Sequence, residues 1–280
     1  MKLAQKLAVN YLRARLNITA VVSKRKAAEK AFEIFCTPYR RSKRKRPPIF
    51  DSAEKIQIKL HSTVIRGYRF NSSQPHKLLI IHGFESSANS FDRYISPFIK
   101  KGYEVLAFDA PGHGASEGKQ ITLPMYIEML RKVVEDFGPI DRFMAHSFGG
   151  LALAHLLESI PHDESTKAVF LAPATETTTA INSFFKFLDL NDNVRVAFDN
   201  VIVQKSGVHP SHFSIRRAMN GIDATILWIH DELDQLTPIG DALKVKDDNH
   251  PNISFEITNG LGHQKLYKEN KVVKRVIEFL

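Results

Sequence analysis

The sequence is poor in the residues that staple or anchor a protein. Cys36 is the single cysteine in 280 residues, which excludes an intramolecular disulfide and any multi-cysteine metal site, and suits a reducing compartment. No run of about 18 apolar residues occurs, so nothing reads as a membrane-spanning helix. The opening MKLAQKLAVNYLRAR is interrupted by Lys6, Arg13 and Arg15, which denies it the apolar centre of a secretory signal. A cytoplasmic protein is the expectation. Zinc spacings are missing too. Pro210 separates His209 from His212, and His82, His113, His146 and His230 follow no metal-ligand pattern, so no metal is expected.

Acidic residues are scarce in one stretch only. Residues 1–46 hold 14 Lys and Arg against 2 Asp and Glu, a net of +12; the remaining chain holds 25 against 28, a net of −3. The overall charge of +9 is therefore a property of a leader. Leu3, Leu7, Tyr11, Leu12 and Leu16 recur at helical spacing, as do Ala28, Phe32 and Phe35, which predicts amphipathic helices. The leader closes in YRRSKRKRPP, where paired prolines mark a boundary near residue 47. Packing of its apolar face on the protein's own domain is the leading expectation. Peripheral contact of residues 1–46 with an anionic membrane comes second, and nucleic acid is disfavoured.

What the chain does have is apolar content, 43% of its residues, enough for a large core. KIQIKLHS and TVIRGYRF read as a hairpin. KLLIIHGF, YEVLAFDAP, DRFMAHS, AVFLAPA, TILWIHDE and ISFEIT read as further strands, mostly continuous in apolar character, which implies burial on both faces. Helical patterns separate them, the rhythm of a mainly parallel sheet with helices on both sides. About fifty residues between Ala174 and Thr225 break that rhythm and predict a small helical cap over about 176–222. The domain expectation is a leader at 1–46 and an α/β domain at 47–280 that carries the cap.

The stretch AHSFGG at 145–150 sets Ser147 between an apolar run and an apolar helical one. Serine there is either an ordinary helix N-cap or a nucleophile held exposed by a tight strand-turn-helix elbow, whose small neighbours, Ala145 and Gly149, avoid collision. The five residues alone leave both readings open.

Other segments weigh on the choice. IHGFESS at 81–87, FDAPGHGASEG at 108–118, AHSFGG, IHDELDQLTP at 229–238 and GLGHQKLY at 260–267 occur in an order and spacing that resembles the α/β-hydrolase family, most like its lysophospholipase, monoacylglycerol-lipase and carboxylesterase branch. The resemblance covers about 52–280 and implies an eight-stranded, mainly parallel sheet with a helical cap. It also implies a serine hydrolase acting on small or lipid-like carboxylic esters through an acyl-enzyme, with Ser147 as nucleophile, His263 as base and Asp234 as the orienting acid. The backbone N–H groups of Phe84 and Phe148 fall where the family has its oxyanion hole. No cofactor is implied.

Asp231 rivals Asp234, because it stands where the family usually has glycine, although Pro238 follows Asp234 at the family's spacing. Alanine at 145 replaces the elbow's usual first glycine. Peptidase, acyltransferase and silent binding scaffold remain as alternatives. Phe184, Phe185 and Phe187 in the cap are candidates either for packing or for the wall of an acyl pocket.

Overall fold

The computed structural model describes residues 3–39 and 46–280, with side chains from residue 7 onward. The basic run at 40–45, which ends the leader, lies outside the described residues, as do the side chains of Leu3 and Lys6. The elements begin with helices α1 (Leu3–Val22) and α2 (Lys24–Phe35), strands β1 (Glu54–Leu60), β2 (Thr63–Phe70) and β3 (His76–Ile81), and helix α3 (Asp92–Lys100). They continue with β4 (Tyr103–Phe108), α4 (Leu123–Phe137), β5 (Arg142–His146), α5 (Phe148–Leu157) and β6 (Lys167–Leu171). Helices α6 (Thr177–Leu188), α7 (Asp192–Ser206) and α8 (Ile215–Ala218) follow; β7 (Thr225–Asp231), α9 (Ile239–Asp247), β8 (Ile253–Thr258), α10 (Gly262–Leu266) and α11 (Asn270–Phe279) close the order. They fall into two compact units, one of residues 38–175 and 215–280, the other of residues up to 37 and 176–214.

In the larger unit eight strands form one sheet in the order β1-β2-β4-β3-β5-β6-β7-β8. The β1–β2 and β2–β4 pairs are antiparallel and all later pairs parallel. Every residue of β4 is buried, as are the last four of β3, β5 and β6, which is why these strands read as mostly continuous apolar runs; the exception in β4, Glu104, is paired with Arg69. The edge strand β8 alternates instead, with no fully buried residue. At the β2–β4 pairing Gly67 faces Phe108; a β-carbon there would lie 2.4 Å from the Phe108 ring, so glycine makes room for it.

One face of the sheet buries Phe50, Phe91, Tyr94, Phe98 and Val276 against Leu78, Ile80, Val105 and Leu227. Helix α5 is apolar except for His155, and its residues Gly149–Leu157 are all buried. Trp228 stacks between Phe170 and Phe255 at 5.6 and 5.2 Å. Helix α4 starts where the Thr122 hydroxyl accepts from the Met125 N–H, with proline in its first turn, a preferred opening.

The smaller unit joins the leader helices to the cap helices. Ala27, Ala28 and Ala31 are fully buried, small enough to bring α2 close to its neighbours. Phe32 and Phe35 lie 5.9 and 5.8 Å from Phe198 of α7, and Phe35 lies 5.2 Å from Phe184 of α6. From α1, Arg13 donates to the Phe187 carbonyl at the end of α6, where free carbonyls and the helix dipole favour a cation. Burial pushes the Cys36 thiol up to about 12, so the lone cysteine carries little thiolate near neutrality.

Candidate functional site

Ser147 follows the last residue of β5 and precedes the first of α5. Its backbone has φ +56° and ψ −125°, a conformation that costs a non-glycine residue about 1–3 kcal/mol. It occupies the N-cap position, yet its hydroxyl caps nothing; the simple capping reading is overturned. The hydroxyl lies instead 2.9 Å from His263 Nε2.

Packing enforces the elbow. A β-carbon on Gly149 would fall 2.5 Å from the His82 carbonyl oxygen, one on Gly150 2.6 Å from Pro173 Cβ, and one on Gly83 2.9 Å from Ser147 Cβ. The glycines let α5 approach β3 and let the 82–84 loop lie against the serine. Phe148 begins α5, so its N–H has no acceptor within the helix. Phe84 directly follows Gly83, and the Phe84 and Phe148 rings meet edge to face at 6.1 Å.

The loop carrying Phe84 is anchored by neutral histidines. His82 is fully buried, and burial lowers its pKa to about 4. Its Nε2 accepts the Ala110 N–H, leaving Nδ1–H to donate to the Gly83 carbonyl at 2.7 Å. His113 Nε2 accepts the Glu85 N–H at 3.1 Å. The Tyr126 hydroxyl donates to the His82 carbonyl, and Asp109 accepts the Ala88 and Ala115 N–H groups. Asp109 thus braces the loops around the serine.

His263, in α10 just beyond β8, turns Nδ1 toward Asp234 Oδ2 at 2.7 Å. With the proton on Nδ1 the imidazole offers Nε2 to the serine as an acceptor. Asp234 Oδ1 takes the Leu236 and Thr237 N–H groups, while Oδ2 also accepts the Thr237 hydroxyl at 2.9 Å. Burial raises the Asp234 carboxyl, but the bonds from His263 and Thr237 outweigh it and hold the group below its ordinary value. A buried carboxylate with all its partners is a stable anion.

Asp231 does something else. It accepts the backbone N–H groups of Leu233, Leu261 and Gly262 and the Thr258 hydroxyl. It therefore ties the end of β7 to the loop that carries His263 and makes no bond to the imidazole.

Three further residues shape the site and were not singled out for it by the sequence. Thr237 lies 3.1 Å from His263 Nδ1 as well as bonding Asp234. His230 Nδ1 accepts the Trp228 indole N–H, and its Nε2–H donates to the Thr237 carbonyl at 2.7 Å. The His146 ring centroid is 4.7 Å from that of His263, its Nε2 is 3.2 Å from the His263 carbonyl, and Nδ1 is buried without a partner. Burial, then the neighbouring His263, lowers His146 to about 3. The available signal was position: His230 and Thr237 fall inside IHDELDQLTP and His146 inside AHSFGG, segments at or just beyond the ends of β7 and β5.

Phe184, Phe185 and Phe187 belong to the other unit. Phe184 and Phe185 pack on Phe198 at 6.2 and 5.2 Å, so packing accounts for both. Phe187 is 49% exposed.

A family model described as serine aminopeptidase, S33, matches residues 73–210. A Mycoplasma pneumoniae protein carrying an esterase/lipase name is 29% identical over 119 residues, 38% of this chain and 41% of that protein. A human serine hydrolase-like protein is 27% identical over 157 residues, 54% of this chain and 74% of that one. The solved structure of the Pyrococcus furiosus esterase Pf2001 superposes with a TM-score of 0.64 at 21% identity, covering 88% of this chain and 97% of that one. At that identity the likeness is one of fold. The chain spans 34–48% of the length of most of the curated relatives it matches.

Proposed function

We propose that this chain, whose sheet has the α/β-hydrolase fold and whose residues 73–210 match the serine aminopeptidase model, is a serine hydrolase that cleaves a small or lipid-like carboxylic ester through an acyl-enzyme. The observation that carries this reading is the bonded series from the Ser147 hydroxyl through His263 to Asp234, at 2.9 and 2.7 Å. A serine hydroxyl is a weak nucleophile at neutral pH and needs an adjacent base.

In this reading His263 Nε2 takes the hydroxyl proton as Ser147 Oγ bonds the acyl carbon. The carbonyl oxygen becomes an oxyanion, which the N–H groups of Phe148 and Phe84 stabilise; one such donor is worth roughly 3–4 kcal/mol in acyl transfer. The imidazolium, balanced by Asp234, returns the proton to the departing alcohol, and the C–O bond to it breaks. Water then adds to the acyl-enzyme with His263 again as base, and the acid leaves as Ser147 regains its proton. The strained serine backbone and the glycines around it support the same reading, because both serve to expose one hydroxyl.

A peptide substrate is the second reading, favoured by the description attached to the matching family model. The steps are the same with an amine as the leaving group. The test is labelling with a fluorophosphonate probe, followed by a panel of p-nitrophenyl esters of increasing chain length and aminoacyl p-nitroanilides. Labelled wild type, unlabelled Ser147→Ala and turnover of the esters are expected. Turnover confined to the anilides would favour the peptidase, and an unlabelled wild type inactive on the whole panel would sink both.

A further inference from the structure

Helix α1 has two apolar faces, and its own unit uses only one. Val9, Leu12, Leu16 and Ala20 fall on one side; Leu16 and Ala20 are buried and the other two half-buried. Arg13 on α1 is bonded to the Phe187 carbonyl. On the opposite side Leu7, Tyr11, Ala14, Ile18, Val21 and Val22 follow the three- and four-residue spacing of a single helical face. All six are exposed, and its five large residues are between 62% and 88% exposed. A folded protein rarely leaves so continuous an apolar stripe uncovered without a partner for it.

We propose that this face of α1 docks on an anionic lipid surface. Charge selects the occupant. Residues 1–46 carry a net of +12, and Arg15 on α1 and Lys24, Arg25 and Lys26, which open α2 two to four residues after the stripe ends at Val22, are exposed. A second copy of the chain would set one such charge against another. A single-stranded nucleic acid needs aromatic platforms for its bases, and this stripe offers Tyr11 alone. An aliphatic stripe flanked by lysine and arginine suits the boundary between acidic headgroups and acyl chains, where attraction of the basic residues adds to burial of the apolar ones. The helix lies along that boundary, since no helix among the described residues is long and apolar enough to cross a membrane. The inference does not depend on the hydrolase reading.

The test is co-sedimentation of the full chain with phosphatidylcholine vesicles, with and without phosphatidylserine, at low and high salt. The protein should pellet with the phosphatidylserine vesicles and be released by salt. The double variant Ile18→Glu, Val21→Glu alters only exposed positions and should bind about tenfold more weakly, with an unchanged circular dichroism melt showing that the fold is kept. No binding to the acidic vesicles overturns the proposal. So does equal binding by the double variant, which would mean that charge acts without the stripe. A dimer that the double variant converts to monomer, with no vesicle binding by either, assigns the face to a second copy and also overturns it.

Discussion

Thr237 Oγ1 stands 2.9 Å from Asp234 Oδ2 and 3.1 Å from His263 Nδ1, so one hydroxyl touches both members of the pair that orients the imidazole. Removing it with Thr237→Val should lower kcat about tenfold with KM unchanged, the worth of one hydrogen bond to a charged group. Thr237→Ser should restore it. A KM effect with normal kcat would show that the hydroxyl acts elsewhere.

Asp234 and Asp231 lie three residues apart and should fail differently. Asp234→Asn leaves the loop in place but loses the anion that fixes the tautomer, and ester turnover should drop by about four orders of magnitude. Asp231→Asn weakens the bracing of Leu261 and Gly262, so the larger effect should be a lower melting temperature, with turnover reduced less. Near-normal turnover in Asp234→Asn beside a dead Asp231→Asn would reverse the roles.

The strained backbone at Ser147 predicts a trade of activity for stability. Ser147→Gly places at φ +56° the residue that adopts it without penalty, so the inactive variant should be more stable than wild type by about 1 kcal/mol. Gly149→Ala should be destabilised by about 1–3 kcal/mol, because its methyl would meet the His82 carbonyl at 2.5 Å. Urea unfolding measures both.

His82 and His146 predict how stability depends on pH. Each is neutral when folded, with its pKa lowered from 6.5 to about 4 and about 3, while the unfolded chain protonates both near 6.5. Protons therefore favour the unfolded state as pH falls below 6.5, and the loss continues until the folded values are reached. At pH 5 each histidine should have cost about 2 kcal/mol. Melting curves of His146→Gln between pH 7 and pH 5 should be flatter than those of the wild type, and parallel curves would refute the assignment.

The strands were legible because burial on both faces leaves a continuous apolar run, as in LLII of β3. Ser147 was legible only in company, because AHSFGG alone fits a cap as well as an elbow and the order and spacing of the other four segments favoured the elbow. The choice between Asp231 and Asp234 was harder to read. Both follow the same strand, and only the distance to a histidine some thirty residues later separates them. His230 and Thr237 lay inside the IHDELDQLTP segment but drew no role from it, since their roles arise from side chains converging after the sheet is built. Phe184 and Phe185 were apolar enough for either a core or a pocket wall; their contacts with Phe198 and, for Phe184, with Phe35 depend on residues far away in the chain.

The smaller unit is assembled from segments that leave the ribosome far apart in time. Helix α2 is made long before α6 and α7, so Phe32 and Phe35 must wait, uncovered, while most of the strands of the sheet are synthesised. Loss of the leader would strip Phe198 of Phe32 and Phe35, and Phe184 of Phe35, and the shortened product should aggregate even though no residue of the sheet had been touched.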